Sequence, residues 1–269
     1  MTRSEFEFFV PSAVMPDDAL FERISEHIEE GFAGVERILG AELFADLDKA
    51  DGNLRTLCNR YASLTAYKLA IPHLDLVLTD NGFGVVSNQN VAPASAERVE
   101  RLRKTVQNGI DDTLDDLLDC LRGNEKWVAT PFAAELFRSL VWNGKKQLFY
   151  FGIIEGHRSQ LDKLRPKISV AEERVKHCIS EEFFNELCDA IRERTATAEQ
   201  QTAIHKVMLT VGADVSVDRD TARLQVGKLV EWLDGNIRTF PTYANSTAYA
   251  ANTFAPYRNE KDDPCYFFG

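Results

Sequence analysis

Glycine and proline are scarce in this chain of 269 residues, which holds 15 glycines and 9 prolines. Long helices are therefore easier to accommodate than a β-sandwich, whose many turns need these residues. No apolar run approaches the roughly 18 residues of a membrane span, and the first residues do not resemble a signal peptide. We expect no membrane contact and a protein made in a reducing cytoplasm, unless it leaves the cell in a larger particle.

Cysteine is also sparse. The five cysteines are never in C-x-x-C spacing, and their number is odd. A disulfide framework of the kind found in small secreted proteins is therefore not expected. We predict reduced thiols, several of them on apolar helix faces.

The sequence motifs of catalysis and cofactor binding are missing. The chain has no G-x-G-x-x-G, no G-x-x-x-x-G-K-[ST], no H-E-x-x-H and no G-x-S-x-G. Its five histidines are scattered. We predict that the protein is not an enzyme and has no catalytic residue, cofactor or metal site. The alternative is an enzyme whose site is assembled from dispersed residues in a concave pocket.

Basic residues are fewer than acidic residues, which gives a formal net charge of −11 at pH 7. An overall acidic balance favours solubility and repels DNA. It argues against a general phosphate-binding surface, although a local basic patch is compatible with it.

Two stretches of the sequence are related, which predicts a duplication of one helical unit. Val35–Leu47 and Val175–Leu187 are each followed by an apolar helix and then by a long helix. The two stretches match at the pairs Val35/Val175, Glu42/Glu182, Phe44/Phe184 and Leu47/Leu187.

The helical spacing of apolar residues predicts a mainly α fold. We expect a helical bundle built from two related helical units, with a small β-hairpin and extended N- and C-terminal arms. The predicted divisions are an N-terminal arm (1–16), a first helical unit (17–126), an aromatic bridging segment (127–165), a second helical unit (166–240) and an aromatic C-terminal tail (241–269).

The longest predicted helix runs from an N-cap at Ser95 to about Leu121, and its charge is divided. A basic N-terminal half and an acidic C-terminal half oppose the helix dipole. A solvated face accounts for this pattern, whereas a partner that neutralises the acidic end would relieve it. The basic residues are Arg98, Arg101, Arg103 and Lys104, and the acidic residues are Asp111, Asp112, Asp115, Asp116 and Asp119.

Two further segments are candidates for interaction. β-Branched runs flank Asn81-Gly82, which predicts a hairpin. Because a two-stranded hairpin is marginal alone, we expect Asn81, Gly82 and Phe83 to pack on the helices or on another subunit. Aromatic side chains supply large contact areas, so we expect the tail to dock on its own body or on a neighbouring subunit. Its candidate contact residues are Phe254, Tyr257, Tyr266, Phe267 and Phe268.

Several of these features together resemble a known family. They are the block Val35–Leu47, the turn Asp80–Gly82, the R-x-x-x-L-R pattern at Arg98–Arg103 and the ending Asp262–Gly269. This set resembles an uncharacterised family of phage and prophage proteins from Bacteroidetes. That family is in turn similar to the helical head–tail connector (adaptor) proteins of tailed phages. Those connectors have a single helical unit, whereas this chain has two.

The resemblance implies a structural protein of the virion, assembled in the cytoplasm of the bacterial host. Connectors of this kind form a closed ring of about twelve copies under the portal. The implied partners are other copies of the chain, the portal protein and tail or further adaptor proteins. DNA passes nearby without specific recognition. The resemblance also suggests that Asp111, Asp112, Asp115, Asp116 and Asp119 line the channel, where carboxylates would not grip DNA.

Two other functions fit the same sequence. The first is a tail-completion or head-closure protein, which location in the particle would distinguish from a connector. The second is a non-enzymatic helical binding module or regulator from a mobile element, acting as a monomer or dimer. The oligomeric state separates this second alternative from a ring-forming connector.

Overall fold

The computed structural model describes residues 1–10, 18–50, 52–74, 76–79, 82–85 and 95–253, with the backbone alone for 76–79 and 82–85. The protein is mainly helical, which confirms the predicted class. Its helices are α1 (Arg3–Phe9), α2 (Asp18–Ser25), α3 (Ile28–Leu39), α4 (Ala41–Ala45), α5 (Gly52–Leu74), α6 (Ala96–Leu121), α7 (Glu125–Val128), α8 (Pro131–Leu136), α9 (Gly144–Gln147), α10 (Arg158–Ile179), α11 (Glu181–Arg192), α12 (Ala198–Ser216), α13 (Arg219–Gly235), α14 (Pro241–Ala244) and α15 (Thr247–Asn252).

Two short strands connect α5 to α6. Strand β1 (Leu76–Thr79) pairs antiparallel with β2 (Gly82–Val85), so that Leu76 lies opposite Val85. Of the residues expected to make contacts here, Asn81 lies outside the described residues. For Gly82 and Phe83 only the backbone is described.

Helix α5 is the centre of the first half, with α3 and α6 packed on it. It buries residues on several sides, as a helix surrounded by others must. Gly31 of α3 lies directly against α5. A Cβ atom at Gly31 would come within 2.4 Å of the Ala62 carbonyl oxygen, so only glycine permits this close approach.

In the second half of the chain, α12 packs against both α10 and α13. Two junctions between helices share a similar backbone conformation. Gly40 joins α3 to α4 with φ 80° and ψ 154°, and Ser180 joins α10 to α11 with φ 79° and ψ 149°. Buried side chains of both halves, among them Val35 and Phe183, belong to one continuous apolar core.

The predicted extended N-terminal arm is wrong for residues 3–9, which form α1. A capping box starts this helix: the Glu5 N–H donates to the Thr2 hydroxyl, and the Thr2 N–H donates to the Glu5 carboxylate. Phe6 is fully buried whereas Phe8 is 75 % exposed. A spacing of two between aromatic residues predicts a strand, but residues two apart also lie on opposite sides of a helix.

The predicted extended tail is wrong from residue 241 to residue 252, which contain α14 and α15. Tyr243 is fully buried, and its hydroxyl donates to Asp234 at 3.0 Å.

The predicted start of the second unit at residue 166 falls inside α10, which continues through Pro166. Among the described residues, no helix has the length and apolar character needed to cross a membrane. The tail residues Phe254, Tyr257, Tyr266, Phe267 and Phe268 lie outside the described residues.

Candidate functional site

A seam of charged groups lies between the C-terminal half of α6 and residues 143–159. We call it the charged seam. Five carboxylates of α6 meet backbone N–H groups and basic side chains of the segment that connects the two halves. The carboxylates are Asp111, Asp112, Asp115, Asp116 and Asp119.

A buried ion pair lies at the centre of the charged seam. Asp115 is fully buried and Arg158 is 8 % exposed. The Arg158 guanidinium donates to the Asp115 carboxylate at 2.9 Å and to the Trp142 carbonyl at 3.0 Å. The other carboxylate oxygen of Asp115 accepts the Lys145 N–H at 2.8 Å. Burial raises the pKa of Asp115, while this N–H and the guanidinium oppose that shift.

Glycine 144 allows the backbone to come this close. A Cβ atom at Gly144 would lie 2.8 Å from the Arg158 backbone nitrogen. Asn143 precedes it as the N-cap of α9, accepting the Lys146 N–H at 2.8 Å. The turn Asn143-Gly144 thus places Lys145 and Lys146 beside α6.

The two ends of the charged seam are partly open to solvent. At one end, the Ser159 N–H donates to Asp111, and a His157 ring nitrogen lies 2.9 Å from Asp112. At the other end, Lys145 pairs with Asp116 at 3.0 Å.

Three cationic side chains from different parts of the chain approach the carboxylate of Asp119. Arg122 approaches its carboxylate at 2.6 Å, Lys146 at 2.7 Å and Arg194 at 3.6 Å. Burial works to raise the pKa of Asp119, but hydrogen bonds from Lys146 and Arg122 outweigh it and lower the pKa. The carboxylate therefore stays ionised and ties α6 to α9, through Lys146, and to the turn after α11, through Arg194.

This geometry corrects the expected channel lining. Asp111 and Asp115 are buried inside the chain, so they cannot present charge to passing DNA. Asp112, Asp116 and Asp119 retain some exposure, but each is paired within the same chain. The expected channel lining is therefore wrong for Asp111 and Asp115, while for Asp112, Asp116 and Asp119 it stays a prediction. Several neutralising groups, among them Lys145 and Arg158, lie on the bridging segment, so the sequence of α6 alone does not reveal them.

A second buried carboxylate lies outside the charged seam, on α10. Glu172 is 3 % exposed. The Ser139 hydroxyl donates to its Oε1 atom at 2.9 Å, and the Leu140 N–H donates to the same oxygen at 3.0 Å. Burial raises the pKa of Glu172 to about 7, against these hydrogen bonds and the cations Lys176 and Arg165. Sequence reasoning missed this residue, since nothing local distinguishes it from the exposed Glu173.

The basic side chains in the N-terminal half of α6 are not neutralised by other described residues. Arg98, Arg101, Arg103 and Lys104 are exposed, and they form no ion pair with another described residue. Two acidic residues, Glu97 and Glu100, share this part of the helix, which leaves an excess of two positive charges (four minus two). We call these residues the basic end of α6.

The described residues contain no group of three or more His, Cys, Asp or Glu side chains arranged to hold a metal ion. What the described chain does contain is a helical body whose halves share a core and a charged seam. Such a site is suited to holding a shape, because its charged groups are paired with one another.

Comparison with known proteins gives one match. Residues 18–133 match the model of a family of unknown function (DUF6712). The match covers α2 to the start of α8, and therefore the first half without residues 143–159. No curated protein and no solved structure matches the chain. The similarity thus extends to one of the two halves, and it names no activity.

Proposed function

We propose that the protein is a structural virion protein of a tailed phage, a head–tail connector that forms a ring at the portal vertex. In this role it would help DNA to pass and the tail to attach. The observation that carries the proposal is the sequence resemblance at Val35–Leu47 and Arg98–Arg103. The mainly helical body is in keeping with it.

The charged seam supports a subunit that acts as one rigid body. Ring subunits must hold their contact surfaces at a constant angle, because a heterologous interface closes only at the right rotation. Here Asp119 binds cations from three parts of the chain, and Asp115 holds Arg158 in the core. Both halves would therefore move together.

The surface for neighbours differs from the one expected from sequence. We assign the ring contact to the basic end of α6, which has unpaired exposed cations. The exposed acidic residues of α2, of α3 and of the turn between them in the next copy would complement it, since opposite charges guide and orient association. The acidic residues are Glu22, Glu26, Glu29, Glu30 and Glu36. The hairpin around Gly82 and the end of the aromatic tail (Tyr266, Phe267 and Phe268) are proposed as further contacts with a neighbour or the portal.

We also propose that the two halves arose from one duplicated helical unit. Gly40 and Ser180 share an unusual backbone conformation at matching positions. Leu39 and Ile179, which precede them, are both fully buried. The packing order α3–α5–α6 resembles the order α10–α12–α13.

The mass of the purified protein in solution tests the connector proposal. Light scattering should detect a closed ring, or a large stoichiometric complex once the portal protein encoded beside it is added. Replacing Arg101 and Lys104 by glutamate should abolish that assembly, whereas the control pair Lys163→Glu and Lys167→Glu, which is exposed on α10, should not. A monomer that ignores the portal would contradict the proposal and favour a helical binding module.

A further inference from the structure

A groove lies between α10, α12 and α13, in the half of the chain that the family match does not reach. It encloses about 280 Å³. This is at the small end of pockets for small molecules, which hold roughly 300–1,000 Å³. The groove is thus suited to side chains of a peptide segment. Its floor is apolar, formed by Ala171, Val175, Ala222 and Val226.

Arginines surround this floor. Arg174, Arg219 and Arg223 line the groove together with a single carboxylate, that of Asp214. Arg174 pairs with Asp214, and Arg223 lies 3.5 Å from Asp220. Arg219 forms no ion pair with another described residue. Arg219 therefore gives the rim one positive charge that no described carboxylate neutralises, and this charge could be met by an acidic residue of another segment.

The described chain ends beside this groove. Helix α15 packs on α10, and the Asn252 side-chain amide donates to the Cys178 carbonyl at 3.1 Å. Cys178 itself lines the groove. The next aromatic residues in the sequence are Phe254 and Tyr257. At roughly 3.3–3.6 Å per residue, they lie within about 7 and 18 Å of Asn252.

We propose that Phe254 and Tyr257 occupy this groove in the same chain, with Glu260, Asp262 and Asp263 against its arginine rim. The aromatic rings would cover the apolar floor, and the carboxylates would accept charge-assisted hydrogen bonds from the guanidinium groups. A short tether gives a local concentration on the order of millimolar, which favours the chain's own segment over that of a second copy. The inference concerns the isolated chain and does not depend on ring formation.

The Cys178 thiol reports whether the groove is filled, because it is half-buried there. In the full-length protein, Phe254→Ala with Tyr257→Ala should raise the rate of Cys178 modification by a thiol reagent about tenfold, the change expected when a tethered occupant is lost. The matched control, Phe267→Ala with Phe268→Ala, should leave that rate unchanged. Cys120 on α6 provides an internal reference, and peptide mass spectrometry assigns the modified sites. Equal rates in both variants would overturn the proposal.

Dilution distinguishes the same chain from a second copy. Protection of Cys178 that is constant across protein concentrations, in a protein of monomer mass, supports occupation by the chain's own segment. Protection that disappears on dilution as the mass falls from dimer to monomer would overturn it. In that case the segment would bind the groove of another copy.

Discussion

Replacing Glu172 by glutamine should stabilise the protein above pH 7 and leave its stability nearly unchanged at pH 4. Glu172 is 3 % exposed, and burial raises its pKa from 4.5 to about 7. Glutamine has nearly the same shape. Its carbonyl oxygen can still accept from the Ser139 hydroxyl and the Leu140 N–H, the two groups that now donate to Oε1.

The expected magnitude follows from the difference between the folded and unfolded pKa. Below pH 4.5 the carboxyl is protonated in both states, so it has no effect on the balance between them. As pH rises towards 7, the unfolded state loses this proton before the folded state, and stability falls. Each pKa unit is worth about 1.4 kcal/mol, so the full loss is about 3 kcal/mol. It is complete above pH 7 and absent in the glutamine variant.

Urea unfolding from pH 4 to pH 8.5 measures this effect. The difference in unfolding free energy between variant and parent should be near zero at pH 4 and reach about 3 kcal/mol at pH 8. Other titrating groups are common to both proteins, so they cancel in the difference. Glu173→Gln, at the exposed neighbouring position, is the matched control and should show no such rise. A difference that stays constant across this pH range would refute the assigned burial of Glu172.

Three pairs of substitutions test close packing, the buried ion pair and backbone strain. Gly144→Ala places a Cβ atom 2.8 Å from the Arg158 backbone and should cost about 1–3 kcal/mol; Gly227→Ala, which meets nothing within 4 Å, should instead stabilise α13 by about 0.5–1 kcal/mol. Asp115→Leu leaves Arg158 buried without its charge partner and should cost about 3–5 kcal/mol, whereas adding Arg158→Met should recover most of that loss. Ser180→Gly relieves backbone strain at φ 79° that costs about 1–3 kcal/mol, but it removes the hydroxyl that accepts the Phe183 N–H at the start of α11, a loss of a few tenths of a kcal/mol when glycine replaces the cap. The net gain should be about 1 kcal/mol, while Gly40→Ser should lose a similar amount. Thermal and urea unfolding measure all of these variants, and a Gly144→Ala protein as stable as the parent would contradict the close approach.

Local sequence signals predicted the helices well. The expected helix from Ser95 to about Leu121 is α6 (Ala96–Leu121), because its apolar residues recur at helical spacing and face α5. The mainly α class followed from such patterns. The prediction of an extended N-terminal arm was wrong, because the spacing of Phe6 and Phe8 is compatible with a strand and with a helix. The capping box at Thr2 and Glu5 was the signal that could have decided between them.

The site could be predicted only in part. The acidic residues of α6 were identified, but their neutralising partners were not. Lys145, Lys146, His157 and Arg158 lie about 30–45 positions away in sequence, as the separations in the hydrogen bonds show. The periodicity of apolar residues cannot relate groups that are so far apart in the sequence. The burial of Glu172 is likewise a tertiary property, because its partners Ser139 and Leu140 belong to a loop before α9.

At both ends of α6, side chains carry the charge that the helix dipole disfavours. Other described residues neutralise these charges at the C-terminal end only. Carboxylates near the negative end are unfavourable by about 0.3–1 kcal/mol each, yet here Arg122, Lys146 and Arg158 neutralise them. At the other end, Arg98 lies in the first turn, near the positive pole, and it forms no ion pair with another described residue. Violations of local preference that the chain does not itself compensate are expected at functional surfaces. The same argument that makes the buried, paired Asp111 and Asp115 unsuited to contact a partner supports the ring contact that we propose for the basic end of α6.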